Sequence, residues 1–167
     1  IITIIALLSV AQILYAQDLP WERGTYYPSW ENAAPDTTIS FTYNGGKTSL
    51  QNGADLAAAM KALTSGQKLE ISSGTYSINA YFNLVLQGTE AKPIWICAAS
   101  GATVIITRPD AAENVMNVGS GGLTEYVCFQ GLEFTGGGSI IRLYQCKNVW
   151  IDQCYIHNGG GVGITAN

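Results

Sequence analysis

Charge is the scarcest property of this 167-residue chain. Charged side chains make up 12% of it, 8 basic against 12 acidic, for a formal net charge of −4. That balance excludes a charge-rich disordered chain and a basic nucleic-acid binder. Histidine occurs once, at His157, and the four cysteines include no CxxC pair, so the sequence offers no zinc constellation. Long apolar runs are missing too. The longest, residues 1–15, falls short of the roughly 20 residues a membrane span needs. What is abundant is hydrophobic residue (47%) with nineteen Gly, nine Tyr and four Trp. That mixture predicts one turn-rich β domain rather than a helix bundle.

Residues 1–16 read as a secretory signal with an apolar core and Ala16 as the small residue before the cut, although Leu14 is bulkier than the usual residue two places earlier. A secreted or periplasmic protein is expected, with no membrane association once the signal is removed. A retained anchor is the alternative. The initiator Met and a basic leading region are missing, and Asn167 follows directly on the apolar pair Val162 and Ile164. Both features are read as a sequence clipped at its ends.

Residues 17–49 hold Pro20, Pro28 and Pro35 among Trp21, Tyr26, Tyr27 and Trp30. They predict an extended segment with one strand at 38–43, packed along the outside of the first coils. Stacking of its aromatics on sugar rings is the functional alternative. Residues 52–66 predict a helix, capped by Asn52 or Asp55 and stopped by Gly66. Leu56, Ala59, Met60 and Leu63 share one stripe of it.

From Lys68 onward, apolar–x–apolar triplets recur between Gly- and Asn-bearing turns. Each reads as a short strand with both apolar side chains on one side. Residues 127–137 (VCFQGLEFTGG) and 149–159 (VWIDQCYIHNG) match at a shift of 22. The shift sets Val127 over Val149, Phe129 over Ile151, Leu132 over Cys154 and Phe134 over Ile156. Ile94 to Met116, Val104 to Val127 and Met116 to Ile141 give separations of 22, 23 and 25. A period near 22 with three strands per turn predicts parallel coils stacked around an apolar core over residues 50–167, about four and a half of them, with the helix as a plug at the first coil. An antiparallel sandwich is the competing arrangement.

The runs at 69–78, 88–106 and 126–138 resemble the first coils of the pectin-lyase-like superfamily. The resemblance implies an all-β, right-handed parallel β-helix with an N-terminal capping α-helix. It also implies a secreted, monomeric protein acting on an acidic polysaccharide, most directly a lyase working by β-elimination. Ca²⁺ is a cofactor the resemblance raises, but the family's Asp cluster and its catalytic Arg or Lys have no counterpart here, and no metal ligand is assigned. A non-catalytic carbohydrate-binding or cell-surface module, or a glycoside hydrolase, are the other functions this fold accommodates.

The triplet phases point Glu133, Thr135, Tyr155 and His157 outward on one sheet. They do the same for Cys128, Gln130, Trp150 and Asp152 on a second, and for Arg142 on a third. Elimination needs a group to stabilise the uronate charge, a base for the C5 proton and an acid for the leaving oxygen. Arg142, His157 and Tyr155 are the residue types that fit, and they are the candidate catalytic set. Hydrolysis needs two carboxylates about 5–10 Å apart, for which Glu133 and Asp152 are the obvious pair. With Trp150 these two are the candidate substrate-binding residues. A structural role for each competes: His157 as a turn residue, Glu133 and Arg142 as solvated surface. The cysteine spacings of 31, 18 and 8 do not match the repeat, so no disulfide essential to the fold is expected. Cys97 and Cys128 are placed facing outward on different sheets, and Cys154 as a small buried hydrophobe.

Overall fold

A computed structural model describes residues 27–167. The signal-like residues 1–16, and the extended segment up to Tyr26, lie outside the described residues. The described chain forms three parallel sheets and one helix. Sheet A orders β1 (Thr37–Phe41), β2 (Gln67–Ile71), β5 (Ile94–Ala98), β8 (Thr124–Gln130) and β11 (Cys146–Asp152) side by side. Sheet B orders β3 (Gly74–Ser77), β6 (Val104–Arg108), β9 (Glu133–Gly136) and β12 (Tyr155–His157). Sheet C orders β4 (Asn83–Leu84), β7 (Met116–Val118), β10 (Ile141–Leu143) and β13 (Ile164–Ala166). From β2 onward the chain visits A, B and C in that rotation. Every pairing within the sheets is parallel, which rules out the antiparallel sandwich.

The register explains why such short strands hold. Leu69 lies beside Ile96, Ile96 beside Phe129 and Phe129 beside Ile151. On sheet B the same file runs Tyr76, Ile106, Phe134, Ile156. The first three members of each file are 0–1% exposed. Alternation along a strand sends these residues to one side together, so each pairing repeats the same apolar contact. At about 25 cal/mol per Å² of apolar area removed from water, these files are the main favourable term.

The 22-residue spacing holds between the last two circuits and not before them. Register partners Leu69, Ile96 and Phe129 are 27 and 33 residues apart, and Tyr76, Ile106 and Phe134 are 30 and 28 apart. The spacings of Ile94 to Met116 and of Val104 to Val127 therefore link different sheets, A to C and B to A. The 25-residue step from Met116 to Ile141 is a true register pair. Apolar alternation marks a strand without marking its sheet, and the connecting loops vary in length. The last strand is likewise displaced. Ile164 pairs with Ile141 and carries Ala166 as its inward partner, while Val162 precedes the strand and is 56% exposed.

Left-handed residues recur in step, one pair inside β8 and β11 and the others between strands or at a strand end. Tyr126 (φ 53°) stands 22 before Asn148 (φ 53°), Gly131 (φ 68°) before Gln153 (φ 50°), and Gly136 (φ 79°) before Asn158 (φ 54°). Left-handed backbone costs a non-glycine residue about 1–2 kcal/mol, so its recurrence marks bends that the surrounding register imposes. Gly160 N–H and Gly161 N–H donate to Gly137 and Gly138 at 2.8 and 3.0 Å, so the two glycine runs do share a corner of successive circuits.

The helix, α1 (Ser49–Lys61), starts three residues earlier than expected and stops at Ala62 rather than Gly66. Thr48 is the N-cap, and Gln51 completes a reciprocal capping box with it, which satisfies two otherwise orphaned donors. Asn52 is buried inside the helix. Its Nδ2 donates to the Asn44, Lys47 and Thr48 carbonyls and its Oδ1 accepts from Asn44 N–H, which fixes the preceding loop. Leu56, Met60 and Leu63 face the core while Ala59 is half-buried. The helix packs against β3, the edge of sheet B, and covers an edge that would otherwise stay open. The strand expected at 38–43 is β1, and it pairs in register with β2 from Thr37 to Phe41.

Gly53 is where helix and sheet meet most closely. A Cβ there would lie 2.1 Å from the Ser77 carbonyl oxygen. Alanine gains about 1 kcal/mol of helix propensity over glycine, but overpacking against immobile backbone costs about 1–3 kcal/mol or more. Gly53→Ala is expected to lower stability by about 2 kcal/mol in urea unfolding, whereas Ala54→Gly on the exposed side should cost about 1 kcal/mol.

Candidate functional site

The outer face of sheet B gathers three of the six candidate residues. Phe134 and Ile156 point inward as register partners, so Glu133 and Thr135 on β9, and Tyr155 and His157 on β12, must point out. The register sets Tyr155 beside Glu133 and His157 beside Thr135. His157 reaches diagonally across the pair, and its Nε2 lies 3.0 Å from Oε1 of Glu133. The Tyr155 ring stacks on the imidazole with centroids 4.1 Å apart and planes at 25°. Tyr155 is 64% exposed, the largest exposed aromatic surface on this face.

This geometry constrains the tautomer of the imidazole. A carboxylate only accepts, so a neutral His157 must carry its proton on Nε2 to make the bond. That leaves Nδ1 as the basic nitrogen. Glu133 thus positions the ring and selects its tautomer, and Tyr155 covers one of its faces. A hollow of about 200 Å³ opens beside Glu133 and Tyr155, bordered by Thr103, Gly131, Leu132 and Gln153. The side chains of Thr103 and Gln153 make no hydrogen bond within the described protein. Neither was singled out from the sequence. Gln153 could have been, because it falls 22 residues after Gly131, at a corner where glycine is the easier residue.

The other three candidates lie on other faces. Arg142 projects from sheet C, between Asn117 and Thr165 in register. Its guanidinium sits 5.0 Å from the Tyr144 ring centroid, and its Nε and Nη2 donate to the Asn167 side-chain oxygen, both at 3.0 Å. The structure therefore brings His157 and Tyr155 together and leaves Arg142 apart from them. Asp152 is on sheet A, 9% exposed, and accepts from Gln130 Nε2 at 2.8 Å. Glu133 and Asp152 are thus each engaged on a different sheet. Trp150 is half-buried, with Tyr27, Trp30 and Trp95 at centroid distances of 5.5, 5.8 and 6.1 Å.

That aromatic cluster is the role of the described part of the extended segment. Trp30 is 4% exposed and packs edge-on against Trp95, Tyr126 and Trp150. The segment lies across β5, β8 and β11 as well as leading into β1, so it clamps the later strands of sheet A rather than the first coils alone. Ser29 donates to Glu90, and Lys92 pairs with Asp36 at 2.7 Å, which ties the segment to the loop before β5.

Cys97 and Cys128 sit under this cover on adjacent strands of one sheet, not on two sheets as expected. Trp95 pairs with Cys128, and Cys97 with Gln130. All four cysteines are free thiols. Cys154 packs against the core and its Sγ donates to the Phe129 carbonyl at 3.4 Å. Burial pushes the Cys97 thiol up to about 11, with Lys68 lowering it and Glu70 raising it further. Burial pushes Cys128 higher still.

Among the described residues no three His, Cys, Asp or Glu side chains converge as a metal site would need. No described helix is long and apolar enough to cross a membrane.

The thiols supply a test of the clamp. A raised folded pKa stabilises the protonated fold fully below the unfolded thiol value of about 8.5, and that stability is lost as pH climbs toward the folded value of about 11 for Cys97. Cys97 and Cys128 are expected to resist iodoacetamide at pH 8 until urea is added. Melting temperature is expected to fall between pH 9 and 11, and to fall less in a Cys97→Ala/Cys128→Ala variant. Comparisons with protein-family models, with curated proteins and with solved structures return no match to this chain.

Proposed function

We propose that this chain is a right-handed parallel β-helix of the pectin-lyase-like kind and that the outer face of sheet B binds polysaccharide. The fold reading is supported by three parallel sheets visited in constant rotation and by inward files that stay in register through four circuits. The functional reading is carried by one observation. Tyr155 lies open to solvent, flat on an imidazole that Glu133 holds at 3.0 Å, beside a hollow of about 200 Å³. Sugar faces present C–H surface to an aromatic ring, and sugar hydroxyls need acceptors and donors at its edge. Tyr155 supplies the first, and Glu133, Gln153 and Thr103 supply the second. Export through the signal at residues 1–16, and a monomeric state, complete the proposal.

A second reading, β-elimination, is favoured by the free Nδ1. His157 is oriented as a base through its other nitrogen, and the Tyr155 hydroxyl is an acid on the same face. Arg142 is on sheet C and does not serve as the charge-stabilising group of this face.

Tryptophan or tyrosine fluorescence titration with oligosaccharides tests the binding. Tyr155→Ala is expected to weaken it at least about tenfold, the loss of one stacked ring, with unchanged circular dichroism. Equal affinity of the variant would overturn the site. Absorbance from new C=C bonds tests turnover on alginate, pectate and chondroitin. If elimination occurs, His157→Ala should lower kcat about 10²–10⁴-fold, and Arg142→Ala should leave it unchanged.

A further inference from the structure

We propose that the glycan held on this face is uncharged at its C6 position, a neutral hexopyranose chain rather than a uronate. The inference rests on the sugar-binding reading above and names its substrate class. Two observations carry it.

The first is local. Among the residues bordering the hollow, Glu133 is the single charged side chain. No Lys or Arg borders it. The outward positions of sheet B run Thr75, Ile105, Glu133, Tyr155 in one file and Ser77, Thr107, Thr135, His157 in the other. Those files hold one carboxylate, one imidazole and no permanent cation. Arg108, at the end of β6, is 4% exposed and turned to the Ala80 carbonyl at 2.8 Å, so it is not a cation of this face. Arg142 is on sheet C, engaged by Tyr144 and Asn167. A uronate carboxylate seated against Tyr155 would meet Glu133 with no Lys or Arg among the residues bordering the hollow. Like charges at such separations repel strongly where water is partly excluded. A primary hydroxyl in the same place donates to the Glu133 carboxylate and accepts from the Gln153 amide.

The second is global. The chain carries a formal charge of −4 and a sequence pI near 4.8. Its mean field repels polyanions and slows their encounter. A polyuronate would face the repulsion at long range and again at the site. Neutral chains face neither.

Matched pairs test this. Cello-, manno- and galacto-oligosaccharides of equal length are titrated beside their C6-oxidised forms, which differ only in carrying a carboxylate. At least one neutral chain is expected to bind, and its oxidised form at least about tenfold more weakly in 50 mM salt, with the gap narrowing as salt screens it. Glu133→Gln removes the local charge at constant shape and is expected to bring the two affinities within about threefold of each other. Oxidised chains that bind as tightly as neutral ones, or a gap that Glu133→Gln leaves intact, would overturn the charge assignment while leaving the sugar face standing. If no chain of either kind binds, and Tyr155→Ala changes nothing, the binding reading itself is wrong and this inference falls with it.

Discussion

In-register parallel stacking of inward side chains is the constraint on which the other features depend. No strand here exceeds seven residues, and strands of three residues such as β7, β10 and β12 have no stability of their own. They persist because each is flanked by a neighbour whose inward residues repeat its own. Ile96, Phe129 and Ile151 form one such file, and Met116, Ile141 and Ile164 another. Once those files are set, outward side chains fall into files as well. Glu133, Tyr155 and His157 meet for no reason other than that Phe134 and Ile156 are aligned beneath them.

The corners obey the same constraint. Left-handed residues recur 22 apart at Tyr126 and Asn148, and at Gly131 and Gln153, although only one of these four is glycine. A turn that must sit beneath an identical turn has little freedom in its backbone, so register sets the conformation and the side chain accepts the strain. At Gln153 the result places an amide at the edge of the hollow. At Tyr126 it sets a ring against Trp30, so the left-handed bend inside β8 becomes part of the seat for the N-terminal segment.

Two sheets are finished at their first edge by different devices. Sheet B is covered at its first edge by α1, whose Gly53 lets the helix backbone approach Ser77. Sheet A gains β1 at that edge and Trp30 across its outer face. The covered face explains why Cys97 and Cys128 are buried and Trp150 half-buried although they point away from the core. Among the described residues sheet B has no such cover over β9 and β12, and Tyr155 there is exposed. Accessibility of the outward side chains is thus partitioned by what lies on top of each sheet, since the three sheets are built alike underneath.

Alternation and turn residues, both local, were enough to read strands, the phase of each outward position and the match of 127–137 to 149–159 directly from the chain. For the same reason Glu133, Tyr155 and His157 could be placed on one face before any coordinates. The helix was legible as a stripe, but its start was not, because Thr48 and Gln51 cap it jointly while Asn52 is spent on the loop. Sheet membership of the early strands, the closeness of Cys97 to Cys128 and the packing of Trp150 beneath Trp30 depend on loop lengths and on a distant segment. Those are properties of the assembled chain. A local pattern states which way a side chain points, and only the packed fold decides what it meets there.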